Sequence, residues 1–243
     1  MAGPAAPGGA AGVAVIACGA LGGHIREIVA RRGWTVRVEC LPAILHNLPR
    51  EIAPAARRLA DGLLADGYRV ALGYADCGSY GELDRLCERL GIARLPGLHC
   101  YDVLAGPDRI RAALDAEPGT YLLTDFLVRS FRRSVIEPLG LDRHPELWPD
   151  YFGHYRRLVW LAQEPGPELA ARADAVAGLF GLPLSVVVTG TTRLELALEE
   201  LVAGPGSAAG PGSAAGPGAA EATGPMAGGT AGGTAGAASG STA

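Results

Sequence analysis

The chain has 243 residues, with 21 Lys and Arg against 25 Asp and Glu, giving a net charge of −4. Net acidity offers no electrostatic footing for a nucleic-acid partner, and no apolar run reaches bilayer length, so no membrane partner is expected. Five cysteines, an odd count with no basic-then-apolar leader ahead of them, predict a reducing cytoplasm and not a disulfide framework.

In chain order, residues 1–11 are too poor in large apolar side chains to fold. Val13–Ala17 then reads as a strand that runs into Cys18-Gly19. Leu21, Ile25, Ile28 and Val29 share one helical face, ended by Gly33. A strand over Trp34–Val38 leads through Leu41-Pro42 to His46-Asn47, and a helix follows with Ile52, Ala56, Leu59 and Leu63 on one side. Val70–Tyr74 is a third strand, running into Asp76-Cys77-Gly78. A helix with Leu83, Leu86, Cys87 and Leu90 on its apolar face comes next. An Ile92–Leu95 strand, His99-Cys100, a helix over 107–116 and a Thr120–Leu123 strand continue the alternation.

The second half reads as mostly helical: Phe126 to Val135, then Tyr151, Tyr155, Leu158, Val159 and Ala162 as one face, then Leu169–Phe180. A last strand, Leu184–Val188, and a helix over Thr192–Val202 close the fold. Residues 203–243 repeat Gly, Pro, Ala, Ser and Thr, bury nothing, and are expected to be disordered. Strand–helix alternation predicts one Rossmann-like α/β domain over residues 12–202. It has a mostly parallel sheet, helices on both faces and a helix-rich second half.

The chemistry is expected at one edge. Carboxyl ends of parallel strands lie together, and ligands bind there. Cys18, Cys77 and Cys100 all follow such strands, as do His46 and His99. The positions predict a metal site with three thiolates and His46 or His99 as a further donor. Soft sulfur with imidazole favours zinc first, with an iron–sulfur cluster as the alternative. Two other readings stand beside it: a metal-free reactive thiol, and cysteines that only fill space. Cys18 and Cys77 are each placed before a helix, where the dipole and free amides favour thiolate. Adjacent residues rarely ligate one ion, so His99 and Cys100 compete unless the backbone turns sharply between them.

Around these, Gly19 and Gly78 permit close backbone approach to a cofactor. Asn47 is the only asparagine in a chain whose 21 basic residues are all arginine, so composition does not supply it by chance. Tyr101 flanks Cys100 and is a further candidate for cofactor contact. Asp76 and Asp125 follow strands and read either as acid–base groups or as helix caps. Tyr151, His154, Tyr155, Arg156 and Arg157 line either an anion pocket or a solvated helix face. Cys87 reads as core, Cys40 has no partner at a telling spacing, and His24 reads as solvated.

The stretches Ile16–Ala20, Leu41–Pro49, Tyr74–Gly78, Pro96–Tyr101, Glu117–Phe126, Gly140–Pro145 and Tyr151–Arg157 resemble a bacterial and archaeal family known as domain of unknown function 1638. The resemblance spans about Val13 to Val202. It implies an association with one-carbon metabolism, since some members are encoded beside corrinoid-dependent methyltransferases. A corrinoid cofactor, a corrinoid protein partner or a small-molecule substrate are the expectations it adds. Other branches of the family carry the histidine where this chain has Leu98, which sets Cys100 above His99 as a ligand. Three functions follow as expectations: a metal- or metallocofactor-dependent enzyme of one-carbon (methyl-transfer) metabolism, a non-catalytic metal or corrinoid binding and maturation protein, or a metal-free cysteine-thiol enzyme.

Overall fold

The computed structural model describes residues 12–204. The expectations for residues 1–11 and 205–243 lie outside the described residues. Seven strands and the helices between them form two parallel sheets. The first half runs β1 (Val13–Cys18), α1 (Gly22–Arg32), β2 (Val36–Leu41), α2 (Ile52–Ala65), β3 (Arg69–Gly73), α3 (Glu82–Leu90) and β4 (Ala93–Arg94). The strands are ordered β2-β1-β3-β4 and every pairing is parallel. β1 is central, and Ala14 through Cys18 are all fully buried. That explains its unbroken apolar run, since a central parallel strand is covered on both faces.

The strand order carries the functional geometry. From β1 the chain steps to β2 on one side, then returns across β1 to reach β3 on the other. Right-handed crossovers then require α1 and α2 to lie on opposite faces. The packing agrees: α2 meets α3, whereas α1 meets the C-terminal helix. The carboxyl ends of β1 and β3 therefore flank a topological switch point, the usual ligand crevice of doubly wound sheets.

The second half continues with α4 (Cys100–Ala105), α5 (Pro107–Ala116), β5 (Thr120–Thr124), α6 (Asp125–Phe131), α7 (Trp148–Phe152), β6 (Arg157–Ala162), α8 (Pro167–Phe180), β7 (Leu184–Val188) and α9 (Thr192–Ala203). β5, β6 and β7 make a second parallel sheet in that order. Its core gathers Leu123, Phe131, Phe152, Trp160 and Val176. α9 returns to the first sheet, burying Leu194, Leu198 and Leu201 in that core. Its Glu195 and Glu199 pair with Arg31 and Arg32 at 2.6 Å. A third buried cluster joins α4 and α5 to β5 and β6 through Tyr101, Ala105, Ile110, Leu122, Val159 and Leu161.

Two expectations need correction. The residues read as one helix from Tyr151 to Ala162 divide into the short α7 and the strand β6. Leu158 through Ala162 are all buried, the mark of a central strand, and their apparent helical spacing with Tyr151 and Tyr155 is accidental. The strands are parallel throughout, as expected, and are arranged as one sheet of four and one of three. Ala203, taken as the start of the tail, closes α9, and Arg69 donates hydrogen bonds to the carbonyls of Leu201 and Val202.

Candidate functional site

At the end of β1, Cys18 is fully buried. The next residue, Gly19, has no room for a side chain: a Cβ there would lie 2.5 Å from the Leu41 carbonyl oxygen and 2.6 Å from the Ala43 nitrogen. This close approach draws the segment after β2 against the end of β1. One turn of 3-10 helix, Ala43–Asn47, follows and carries His46 inward. The His46 Nδ1 lies 2.9 Å from the Ala43 carbonyl oxygen. A carbonyl can only accept, so Nδ1 carries the hydrogen and Nε2 is the nitrogen presented to the crevice. Nε2 lies 3.4 Å from the Cys18 Sγ.

Cys77 arrives from the other side of the switch point. Its backbone N–H donates to the Leu98 carbonyl at 2.7 Å, and the Asp76 N–H donates to the Gly97 carbonyl at 3.1 Å. These bonds fasten the β3 loop to the segment that opens α4 with Cys100. Cys77 has φ +50, and Gly78 follows at φ +80. A left-handed cysteine is uncommon, and its cost is borne where the chain turns its sulfur into the crevice.

The electrostatics distinguish the three thiols. Burial pushes the Cys18 thiol up, but the His46 charge and hydrogen bond, with the N–H groups of Ala20 and Leu21, bring it below its ordinary value of 9.0. Burial lowers His46, yet Cys18 and Cys77 raise it to about 11. The two shifts oppose one another because each group favours the charged form of its partner. Cys77 goes the opposite way: burial raises it, His46 lowers it, and the nearby Cys100 and Cys18 raise it again, to about 11. Burial and the Cys18 charge also hold the Cys100 thiol well above the ordinary range. Of the two cysteines expected to favour thiolate, only Cys18 is shifted that way; at Cys77 burial and the neighbouring thiols outweigh His46.

Tyr74 completes the crevice. Its ring stacks on His46 with centroids 6.1 Å apart. Its hydroxyl is buried close to Cys18 and Cys77, and finds no hydrogen-bond partner of adequate geometry. The gathering is loose. Among the described residues, Cys18, His46, Cys77 and Cys100 do not form a group with three donor atoms all within 4.8 Å of one another.

The family model described as "Protein of unknown function (DUF1638)" matches residues 40–198, well over half of the chain. The chain belongs to that family. The match takes in His46, Cys77, His99 and Cys100, while Cys18 lies ahead of it. Neither the curated proteins nor the solved structures compared with it give a match.

Elsewhere in this DUF1638 chain, the other candidates have visible local tasks. His99 caps the start of α4 and stacks on Tyr101 at 6.2 Å, with no hydrogen bond to the other candidate donors among the described residues. Asn47 reaches across to the second half, its Nδ2 lying 3.5 Å from the Ser134 carbonyl oxygen. Gly78 packs against Pro49. Tyr101 is buried in a cluster with Leu122, Val159 and Leu161, its hydroxyl 3.4 Å from the Leu122 carbonyl oxygen; burial raises its pKa first, and Cys100 and Cys77 are among the groups that raise it further.

Asp76 accepts from Ser79 Oγ at 2.7 Å and from the N–H groups of Tyr80 and Gly81, shaping the entry to α3. Asp125 is fully buried and accepts from Trp160 Nε1 at 2.8 Å and from the N–H groups of Gln163 and Glu164. Both carboxylates are engaged by the fold. Tyr155 joins an aromatic cluster with Tyr121, Phe152 and Phe180, and Arg157 donates to Thr120 and Ala113. His154 and Arg156 are exposed.

Sequence reasoning missed two features. Tyr74 lies at the end of an apolar strand and nothing in its spacing sets it apart. His24, expected to be solvated, is 7% exposed. Glu164, more than a hundred residues away, comes close to it, which helical spacing alone does not reveal.

Proposed function

We propose that this protein holds a soft divalent metal, zinc, between β1 and β3, with Cys18, Cys77 and Cys100 as thiolate donors and His46 Nε2 as the imidazole donor. The orientation of His46 carries the reading. A metal-binding histidine ordinarily donates its other ring N–H to a carbonyl or carboxylate, which fixes tautomer and direction, and the Ala43 carbonyl does this for His46. The 3.4 Å between Cys18 Sγ and His46 Nε2 also matches two neighbouring donors on a tetrahedral zinc, roughly 3.5 Å apart for ordinary bond lengths.

The donor chemistry fits such a group, and the four donors would draw closer together to share one ion. Three thiols and one imidazole form a soft donor set, and the unpartnered Tyr74 hydroxyl leaves a polar function free beside it. A bound zinc would supply Lewis-acid charge that keeps thiolates or a substrate thiol ionised. The chain's own residues orient His46 through Ala43, exclude water around Cys18, and hold the Cys18 proton off through the amides of Ala20 and Leu21. An enzyme of methyl transfer in the cytoplasm is the catalytic form of this reading, in keeping with the family's implied one-carbon setting. All five cysteines are free, which accords with a reducing compartment. A partner protein or a corrinoid would meet exposed Ile44, Leu48, Tyr80 and Leu98, which sit on the segments that carry His46, Cys77 and Cys100. An iron–sulfur cluster would use the same sulfurs.

A second reading rests on the Cys18–His46 pair itself: a metal-free thiolate nucleophile with an imidazolium beside it. Elemental analysis of protein purified without chelators or a metal-binding tag separates the two. The metal reading predicts zinc in near-stoichiometric amount, lost on Cys18→Ser. Metal-free protein with a rapidly alkylated Cys18 would favour the second.

A further inference from the structure

A second group of donors lies away from the cysteines. His24 on α1, Glu27 one turn further along it, and Glu164 just beyond β6 bring their donor atoms within 4.8 Å of one another, the only such group among the described residues. His24 is 7% exposed, and its Nδ1 has no hydrogen-bond partner. Glu27 Oε2 is 3.5 Å from it but outside hydrogen-bonding geometry. A buried ring nitrogen left without a partner and aimed at two carboxylates is a poor arrangement for an empty site.

The carboxylates lack partners of their own sign-balancing kind. Arg129 and Arg172 line the same cleft as Glu164 without forming an ion pair with it: the carboxylate nearest Arg129 is Asp125 at 4.0 Å, and Arg172 pairs with Glu168 at 2.9 Å. Glu164 is fixed in place from behind, since its backbone N–H donates to Asp125 Oδ2 at 2.9 Å. α1 belongs to the first sheet and Glu164 to the end of the second, so these donors meet across the two halves.

We propose that His24 Nδ1 and the carboxylates of Glu27 and Glu164 bind one divalent first-row cation, which ties α1 to the segment after β6. One imidazole and two carboxylates suit a borderline or hard ion such as Mn2+, whereas the cysteine crevice suits a soft one. The two sites are therefore separable by choice of ion. Glu27 is exposed, so the coordination sphere is open to water on that side.

Titration of the full chain with Mn2+, followed by the loss of the free-ion electron paramagnetic resonance signal, tests this. The expected result is saturable binding of a single Mn2+ per chain, weakened about tenfold or more in Glu164→Gln and in Glu27→Gln. Both replaced side chains are exposed, and circular dichroism confirms that the variants fold. Mn2+ should raise the melting temperature of the wild type but not of Glu164→Gln, and Cys18→Ser should bind Mn2+ as the wild type does. Absence of saturable binding up to about 1 mM would overturn the proposal. So would affinity unchanged by both glutamate substitutions, or binding abolished by Cys18→Ser.

Discussion

Cys18 Sγ and His46 Nε2 face each other at 3.4 Å across the carboxyl end of β1, although 28 positions separate them in the chain. The far side of the same imidazole is held by the Ala43 carbonyl at 2.9 Å. The ring is therefore fixed at one nitrogen and offered at the other.

In chelator-treated protein this contact should be visible in a thiol titration. With His46 present, Cys18 ionises below the ordinary thiol value of 9.0. His46→Asn removes the opposing charge and leaves burial, the largest influence, to push the thiol upward. Thiolate absorbance near neutral pH should therefore fall in the variant, and alkylation of Cys18 should slow. A titration curve unchanged by His46→Asn would show that the two groups are not coupled.

Gly19→Ala tests how the histidine is delivered. Its Cβ would meet the Leu41 carbonyl and the Ala43 nitrogen at 2.5 and 2.6 Å, both backbone atoms that cannot swing aside. The segment bearing His46 must shift, at a cost of about 1–3 kcal/mol in stability. Urea unfolding should show that loss, together with a Cys18 titration resembling that of His46→Asn. A variant as stable as the wild type, with the titration intact, would contradict the close-approach argument.

Asp125 separates architecture from chemistry. Its buried carboxylate accepts three N–H groups, so Asp125→Ala strands donors inside the second sheet. Loss of about 2–4 kcal/mol is expected, with metal content per folded molecule unchanged. A stable variant that lost metal would instead return Asp125 to the candidate site.

The sequence made the sheet edge legible because a parallel strand that ends in a reactive residue can be read locally. Cys18 at the end of β1 and Cys77 just past β3 are of that kind. The strand order is not local: it depends on which side of β1 each crossover passes, and only that order makes β1 and β3 adjacent. Tyr101 shows the limit from the other direction. It flanks Cys100 in sequence, but the next position of α4 turns its ring into a buried cluster with Leu122, Val159 and Leu161. His24 was hidden for a similar reason, since Glu164 comes close to it from a segment with no sequence signal pointing back to α1.

Cysteine variants divide ligation from packing. Cys87 lies on the buried face of α3 with Leu83 and Leu86, apart from the crevice. Cys87→Ala should cost about 1–2 kcal/mol and leave metal content intact, whereas Cys18→Ser and Cys77→Ser should each strip it. Equal metal loss in all three would mean that metal retention follows folding and not ligation.

The most direct test of the thiolate centre is the zinc X-ray absorption spectrum of the full chain, purified without chelators or a metal-binding tag. A sulfur-dominated shell at about 2.3 Å with a nitrogen contribution near 2.0 Å is predicted, and it should disappear in Cys18→Ser. The spectrum also distinguishes the two metal sites, because His24, Glu27 and Glu164 offer no sulfur. A shell of nitrogen and oxygen alone, or protein without zinc, would contradict the account.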